Sequence, residues 1–181
     1  PCFLSQPEYP WEEYVNEGPE AIRHDGKLML LYSAHAMHTG HYCLALLECL
    51  NEDDITNAAS WRKIDHPVFQ SGNGVLAPGH ASVTVAPDGR TPVLVYHQKA
   101  LPTEDFWIPD SKFRTVCVQP FSWRDDGTPD FGEPLPLGRP QPLLPGEEED
   151  VPGHLIDDAI RDGSDDLISC GAREGLNIAD N

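Results

Sequence analysis

The sequence has few basic residues and no long hydrophobic run. Only 12 lysines and arginines stand against 30 aspartates and glutamates in 181 residues, which gives a formal net charge of −18. Nucleic-acid binding depends on a basic surface that neutralises phosphates, so this balance argues against a nucleic-acid partner and against anionic membrane surfaces. No run approaches the roughly 18 apolar residues of a transmembrane helix. We therefore expect neither a nucleic-acid nor a membrane partner.

Paired cysteine motifs are also missing. The five cysteines show no C-x-x-C spacing, which argues against the common zinc sites. What the sequence does contain is 39% hydrophobic residues, enough to form a core. Its length fits one domain of ordinary size.

Short strands joined by tight turns are the main local pattern. Asp25-Gly26 separates the segment 18–24 from the apolar segment 27–34, and Asp-Gly between such runs is a strong hairpin signal. Further strands are predicted over 41–50 and 61–69. The first half of the chain therefore predicts four antiparallel strands.

The same landmarks recur about 62 residues later. Gly18, Asp25-Gly26, Tyr32 and Ser60-Trp61 are matched by Gly79, Asp88-Gly89, Tyr96 and Ser122-Trp123. A repeated four-stranded antiparallel unit is typical of a β-propeller blade, and a sandwich of two similar halves is the competing architecture. We expect an all-β fold with a partial β-propeller over 1–139. Its blade-like repeats lie near 18–69 and 79–135, and an acidic, loosely ordered tail follows over 140–181.

Glu17 lies just before Gly18-Pro19, where the chain cannot continue as a regular strand. Its carboxylate is therefore expected at the mouth of a strand. That position suits a general acid, and an exposed glutamate beside a turn is the simpler alternative.

Several motifs follow one another in order between about residues 5 and 138. They are WE (11–12), VNEGPE (15–20), LLYSA (30–34), SWRK (60–63), PVF (67–69), APGHAS (77–82), VYH (95–97) and WRDDGTPDFG (123–132). Together they resemble glycoside hydrolase family 43. The resemblance implies a five-bladed β-propeller and an O-glycosyl hydrolase that cleaves arabinofuranosyl or xylosyl linkages of plant polysaccharides or oligosaccharides with inversion. It also implies an extracellular, secreted protein.

The resemblance assigns roles to particular residues. Glu17 matches the family's general acid, and His80 matches a histidine near the propeller axis that often takes part in a metal site. Arg114 matches an active-site arginine. No cofactor is required, and a structural calcium near the axis is compatible with the resemblance. From the sequence itself, Trp107 lies in a non-repeating loop and is the candidate for stacking on a sugar.

One departure from the family concerns the other two carboxylates. An inverting glycosidase needs a protonated acid on one side of the bond and a carboxylate base on the other, about 6.5–9.5 Å apart. In the family the base Asp and a second Asp lie upstream of the acid, but only sixteen residues precede Glu17 here. We therefore expect about two four-stranded blades plus a tail, a C-terminal part of a family member that is catalytically incomplete by itself. The alternatives are a non-catalytic carbohydrate-binding or interaction fragment and a truncation without function.

Overall fold

Two antiparallel sheets and a short hairpin make up the described part of the chain. The structure is a computed structural model that describes residues 2–99, 114–136 and 141–147. The first sheet contains β1 (Asn16–His24), β2 (Lys27–Ala34), β3 (Cys43–Cys49) and β4 (Trp61–Lys63) in sequential order. The second contains β5 (Leu76–Val85), β6 (Pro92–Lys99) and β7 (Arg114–Pro120), and the hairpin pairs β8 (Ser122–Trp123) with β9 (Pro129–Asp130).

The helices are short. Three 3-10 turns cover Pro10–Glu12, Glu52–Asp54 and Ala58–Ser60. Among the described residues no helix is long and apolar enough to cross a membrane. The prediction of an all-β fold is confirmed.

The first hairpin forms where the Asp-Gly pair predicts it. Asp25 and Gly26 both have positive φ angles, 45° and 79°, as a two-residue hairpin turn with right-handed strand twist requires. The turn sets the register from His24 back to Glu20, so that Ile22 faces Met29; beyond a register shift between Glu20 and Glu17, Glu17 faces Ser33.

Both faces of the first sheet are covered, which explains why β2 and β3 are almost continuously apolar. Met29, Leu31, Leu44 and Leu46 point to one face and join a core that also contains residues of the second sheet. Alternate residues of the same strands point to the other face and form a second cluster: Tyr32, Ala34, Cys43, Ala45 and Leu47. Side chains on a strand alternate between faces, so each cluster takes every second residue.

The larger core lies between the two sheets. Phe69 packs at its centre, with its ring 5.0 Å from that of Tyr96 and 6.0 Å from that of Phe131. Leu94 and Cys117 of the second sheet belong to the same buried cluster. The two sheets are thus stacked units with one common core, the arrangement expected of neighbouring blades.

A buried carboxylate attaches the segment before β1 to the first sheet. Glu12 has no solvent exposure and accepts hydrogen bonds from Lys63 Nζ at 2.9 and 3.0 Å and from the Tyr32 hydroxyl at 2.9 Å. The backbone N–H groups of Glu8 and Tyr9 donate to the same carboxylate. Burial opposes its ionisation, but these hydrogen bonds outweigh burial and lower the pKa of Glu12 to about 2.

Two expectations for the strands need correction. The strand expected over 61–69 is regular only at Trp61–Lys63, because the chain bends at Asp65 and His66 and leaves the ladder there; Phe69 rejoins the sheet through a bridge to Leu44. The second unit is not a four-stranded sheet among the described residues. Ser122–Trp123 turns away from β7 and pairs with Pro129–Asp130, because the turn at Asp126-Gly127 folds it into its own hairpin.

Most of the tail lies outside the described residues. Of the segment 140–181 only 141–147 is described, and there the Asp88 N–H donates to the Pro145 carbonyl at 3.0 Å. The division into a partial propeller and a loose tail stays a prediction.

Candidate active site

Glu17 lies at an irregular point of β1. Its backbone pairs with Ser33, and the register then shifts before Glu20. Gly18 has a left-handed φ of 56°, and Pro19 cannot donate to the ladder. Such a bulge bends a strand and redirects a side chain, so Gly18-Pro19 accounts for the position of the carboxylate.

His80 of the second sheet meets this carboxylate. Its Nδ1 lies 3.3 Å from Glu17 Oε1 and 3.2 Å from Oε2. The His80 backbone N–H donates to the buried Ser33 hydroxyl at 2.7 Å, which connects the two sheets directly beside Glu17. A Cβ at Gly18 would lie only 3.2 Å from the His80 ring, so a glycine is needed there.

Tyr42 is the second contact of Glu17. Its hydroxyl donates to Glu17 Oε1, and its side chain is almost completely buried. Burial, and then the hydrogen bond to Glu17, raise the pKa of Tyr42 well above its usual range. The phenol therefore stays protonated and remains a hydrogen-bond donor.

Two neighbours hold the ring of Tyr42. A Cβ at Gly79 would lie 2.3 Å from Tyr42 Cε1, so the ring packs where that residue has no side chain. The ring also stacks on His97 with a centroid distance of 5.5 Å and an interplanar angle of 6°. His97 also stacks on His80 at 6.2 Å.

His97 is neutral at neutral pH. Burial, and then the positive charge of Arg114, lower the pKa of the imidazole to about 4. A neutral ring adds no charge of its own beside Tyr42. His97 therefore contributes no net charge to the electrostatic environment of Glu17.

The predicted site residues divide into three cases. Glu17 and His80 come together, with His80 Nδ1 3.2 Å from Glu17 Oε2, while the roles that the resemblance assigns to them stay predictions. Arg114 is the first residue of β7, pairs with Lys99 and lies close enough for its charge to influence the pKa of both Tyr42 and His97. Trp107 lies outside the described residues.

Sequence reasoning gave no role to Tyr42 or His97. Tyr42 directly precedes the apolar strand β3, and His97 is the last residue of the VYH motif and follows a core tyrosine, so neither position by itself signals a site. The one available signal was Gly79 beside His80. A glycine inside a strand often marks a close approach of another group, here the Tyr42 ring.

The described residues do not by themselves form a metal site. Calcium takes six to eight oxygen ligands. The Glu17 carboxylate instead contacts His80 and accepts a hydrogen bond from Tyr42. Within the ranges that the structure covers, no group of three or more His, Cys, Asp or Glu side chains is arranged to hold a metal ion. The metal role of His80 stays a prediction.

The carboxylate remains accessible. The side chains of Glu17 and His80 are 38% and 56% exposed, so a ligand can reach them. A cavity of about 500 Å³ includes Glu17 in its lining, but neither His80 nor Tyr42 lines it, and its residues Tyr32 and Leu47 belong to the second cluster of the first sheet. An accessible carboxyl group with one buried donor and one imidazole contact can transfer a proton to a bound molecule.

Comparison with known proteins agrees with this description. The family model for glycosyl hydrolases family 43 matches residues 4–129. The chain is 41% identical over 143 residues to an extracellular exo-α-(1→5)-L-arabinofuranosidase of Streptomyces avermitilis, and 40% identical over 146 residues to α-L-arabinofuranosidase 43 of Humicola insolens. These alignments cover 76% and 77% of this chain but 30% of each relative.

A solved structure matches as well. The α-L-arabinofuranosidase from Lactobacillus brevis superposes with a TM-score of 0.68 at 41% sequence identity, over 75% of this chain and 43% of that one. The chain thus spans less than half the length of the relatives it matches.

Proposed function

The chain belongs to glycosyl hydrolases family 43, and on that basis we propose that it forms part of a glycosidase in which Glu17 is the general acid. In this role the Glu17 carboxyl donates its proton to the glycosidic oxygen as the bond to the sugar breaks. The carboxylate that remains is stabilised by its neighbours. Protonating the leaving oxygen is what a glycosidase acid must do.

The observation that carries the proposal is the arrangement around Glu17. The Tyr42 hydroxyl donates to one oxygen, and His80 Nδ1 lies within 3.3 Å of both. An exposed glutamate beside a turn, the simpler alternative, is not expected to contact both a buried phenol and an imidazole from a second sheet. Proton transfer does need an oriented carboxyl group, because misplacing it costs rate.

For the substrate we propose arabinofuranosyl linkages of plant polysaccharides or oligosaccharides, cleaved with inversion. Both curated relatives named above are arabinofuranosidases. Xylosyl linkages are the second possibility to test. One of those relatives is described as extracellular, and we expect this protein to act outside the cell as well.

We further propose that the 181 residues are catalytically incomplete alone. An inverting mechanism needs a carboxylate base on the opposite face of the sugar. We place that base, and the second Asp, in parts of the fold that this chain does not include. A general acid alone contributes about 10²–10⁴-fold, far below the rate enhancements typical of enzymes.

The test uses this chain and the longer protein that carries it, each assayed on aryl α-L-arabinofuranoside and aryl β-D-xyloside. We expect turnover of the arabinofuranoside by the longer protein only, and its loss in Glu17→Gln, which keeps the shape of the side chain. Sugar binding without turnover by either form would favour a carbohydrate-binding role instead. Activity of the longer protein that survives Glu17→Gln would refute the role of Glu17.

A further inference from the structure

We propose that Tyr42 is a positioning residue for the acid: it fixes the Glu17 carboxyl group and stabilises the charge that forms on it during proton transfer. The inference rests on the proposed function and adds a residue to which the sequence motifs give no role. It starts from the contact of the Tyr42 hydroxyl with Glu17 Oε1.

Of the two contacts of Glu17, the one made by Tyr42 is the more rigid. The Tyr42 side chain is 1% exposed, whereas that of His80 is 56% exposed. The ring cannot move toward Gly79, whose backbone it already touches, and it stacks on His97. A donor without freedom of its own can orient a flexible glutamate, and catalytic groups must be held within about 0.5 Å.

The direction of the hydrogen bond decides which oxygen carries the proton. Because Tyr42 donates to Oε1, that oxygen acts as the acceptor, and the acidic proton is on Oε2. This proton passes to the glycosidic oxygen as the bond between that oxygen and the anomeric carbon breaks, and Glu17 is left as a carboxylate. Water, activated by the proposed carboxylate base, bonds to the anomeric carbon from the opposite face and gives up a proton to that base. A hydrogen bond to an ionised acceptor is roughly twice as strong as a neutral one, so the Tyr42 bond strengthens as the proton leaves.

Gly79 also helps to hold Tyr42 against Glu17. Any side chain there would displace the Tyr42 ring, since even a Cβ would lie 2.3 Å from Cε1 and 2.6 Å from Cδ1. The glycine between Pro78 and His80 therefore serves Tyr42 as well as the course of β5. This gives two independent ways to disturb the contact without changing Glu17.

The experiment compares two substrates in the longer protein that carries this sequence. Phenyl α-L-arabinofuranoside has a poor leaving group that needs protonation, and the 2,4-dinitrophenyl analogue has a good one that does not. Tyr42→Phe removes only the hydroxyl. We expect kcat to fall about 10-fold on the phenyl substrate and no more than about 2-fold on the dinitrophenyl one, with KM unchanged.

Gly79→Ala is expected to give the same dependence on the leaving group, because it moves the ring away from Glu17. The matched control is Tyr96→Phe, which removes another buried hydroxyl, one that donates to Gln119 Oε1 at 2.9 Å within the core. It should lower thermal stability without making kcat depend on the leaving group. Glu17→Gln is the reference for loss of the acid.

The outcomes separate the two proposals. If Glu17→Gln loses equal activity on both substrates, the proposed acid is wrong. If Glu17→Gln shows the leaving-group dependence but Tyr42→Phe behaves like Tyr96→Phe, the acid stands and the role of Tyr42 is overturned. A Gly79→Ala variant with normal rates on the phenyl substrate would also overturn it.

Discussion

Glu12 is a buried carboxylate that accepts hydrogen bonds from Lys63, from Tyr32 and from the backbone N–H groups of Glu8 and Tyr9. It lies apart from the proposed chemistry, yet it fixes the segment that leads into Glu17, since Asn16 donates to the same carboxylate at 3.0 Å. Its contribution to stability can be measured by removing one partner.

We predict that Lys63→Met destabilises the fold by about 3–5 kcal/mol, because it leaves the Glu12 carboxylate buried without its cation. The measurement is urea-induced unfolding at pH 7. The matched control is Arg23→Met, which breaks the exposed pair with Glu52 and should leave the free energy of unfolding almost unchanged. Equal effects of the two variants would contradict the account.

The pKa of Glu12 also predicts how stability depends on pH. A carboxyl group whose pKa is lower in the folded state, about 2 against a usual 4.5, contributes stability that is fully present above pH 4.5 and is lost as the pH falls toward 2. At about 1.4 kcal/mol per pKa unit, this contribution is about 3 kcal/mol. Glu12→Gln should be less stable than the wild type at pH 6, and the difference should shrink on acidification. A constant difference between pH 6 and pH 2 would show that the carboxylate is not stabilised as described.

Among the elements, β1 carries the feature that matters for the site. Its bulge at Gly18 places the carboxylate of Glu17, and a side chain at Gly18 would combine a strained φ with contact to His80. Gly26, in the turn between β1 and β2, also has a positive φ but has open space around its Cβ position.

This pair of glycines gives a matched prediction. Both Gly18→Ala and Gly26→Ala should cost about 1–3 kcal/mol of stability from backbone strain. Only Gly18→Ala should also lower kcat of the longer protein, by about 10-fold or more, because it shifts Glu17 against His80. Thermal melts and arabinofuranoside assays measure the two effects. A loss of activity in Gly26→Ala that matches that in Gly18→Ala would argue against a local role for the bulge.

The elements also show what the sequence can predict. The bounds of β2 follow from the Asp25-Gly26 turn and the apolar run after it, which are local signals. The length of β4 was overestimated, because Ile64, Val68 and Phe69 continue the hydrophobic pattern past a bend at Asp65 and His66 that the pattern does not reveal. The second unit was expected to be four-stranded, but Ser122–Trp123 forms a separate hairpin with Pro129–Asp130, since pairing depends on a turn whose hydrogen bonds the pattern does not reveal.

At the scale of the whole molecule, the candidate site exists only because two sheets meet. Glu17 belongs to the first sheet and His80 to the second, 63 residues later, and their contact depends on the common core around Phe69. The repeated landmarks match Gly18, which follows Glu17, with Gly79, which precedes His80, at the starts of the two predicted units. These landmarks could not predict the contact between Tyr42 and Glu17, because the position of the Tyr42 ring is set by packing against Gly79 and His97 and not by its place in the repeat.

The proposed role of Glu17 as the general acid of a glycosidase can be tested directly by one measurement. In the longer protein, kcat is measured for a series of aryl α-L-arabinofuranosides whose leaving phenols differ in pKa, in the wild type and in Glu17→Gln. Proton donation makes the wild-type rate nearly independent of the leaving group. We predict that the rate of Glu17→Gln falls steeply as the phenol pKa rises, with a loss of about 10²–10⁴-fold at the poorest leaving group. If plots of log kcat against the phenol pKa run parallel for the wild type and Glu17→Gln, Glu17 is not the general acid.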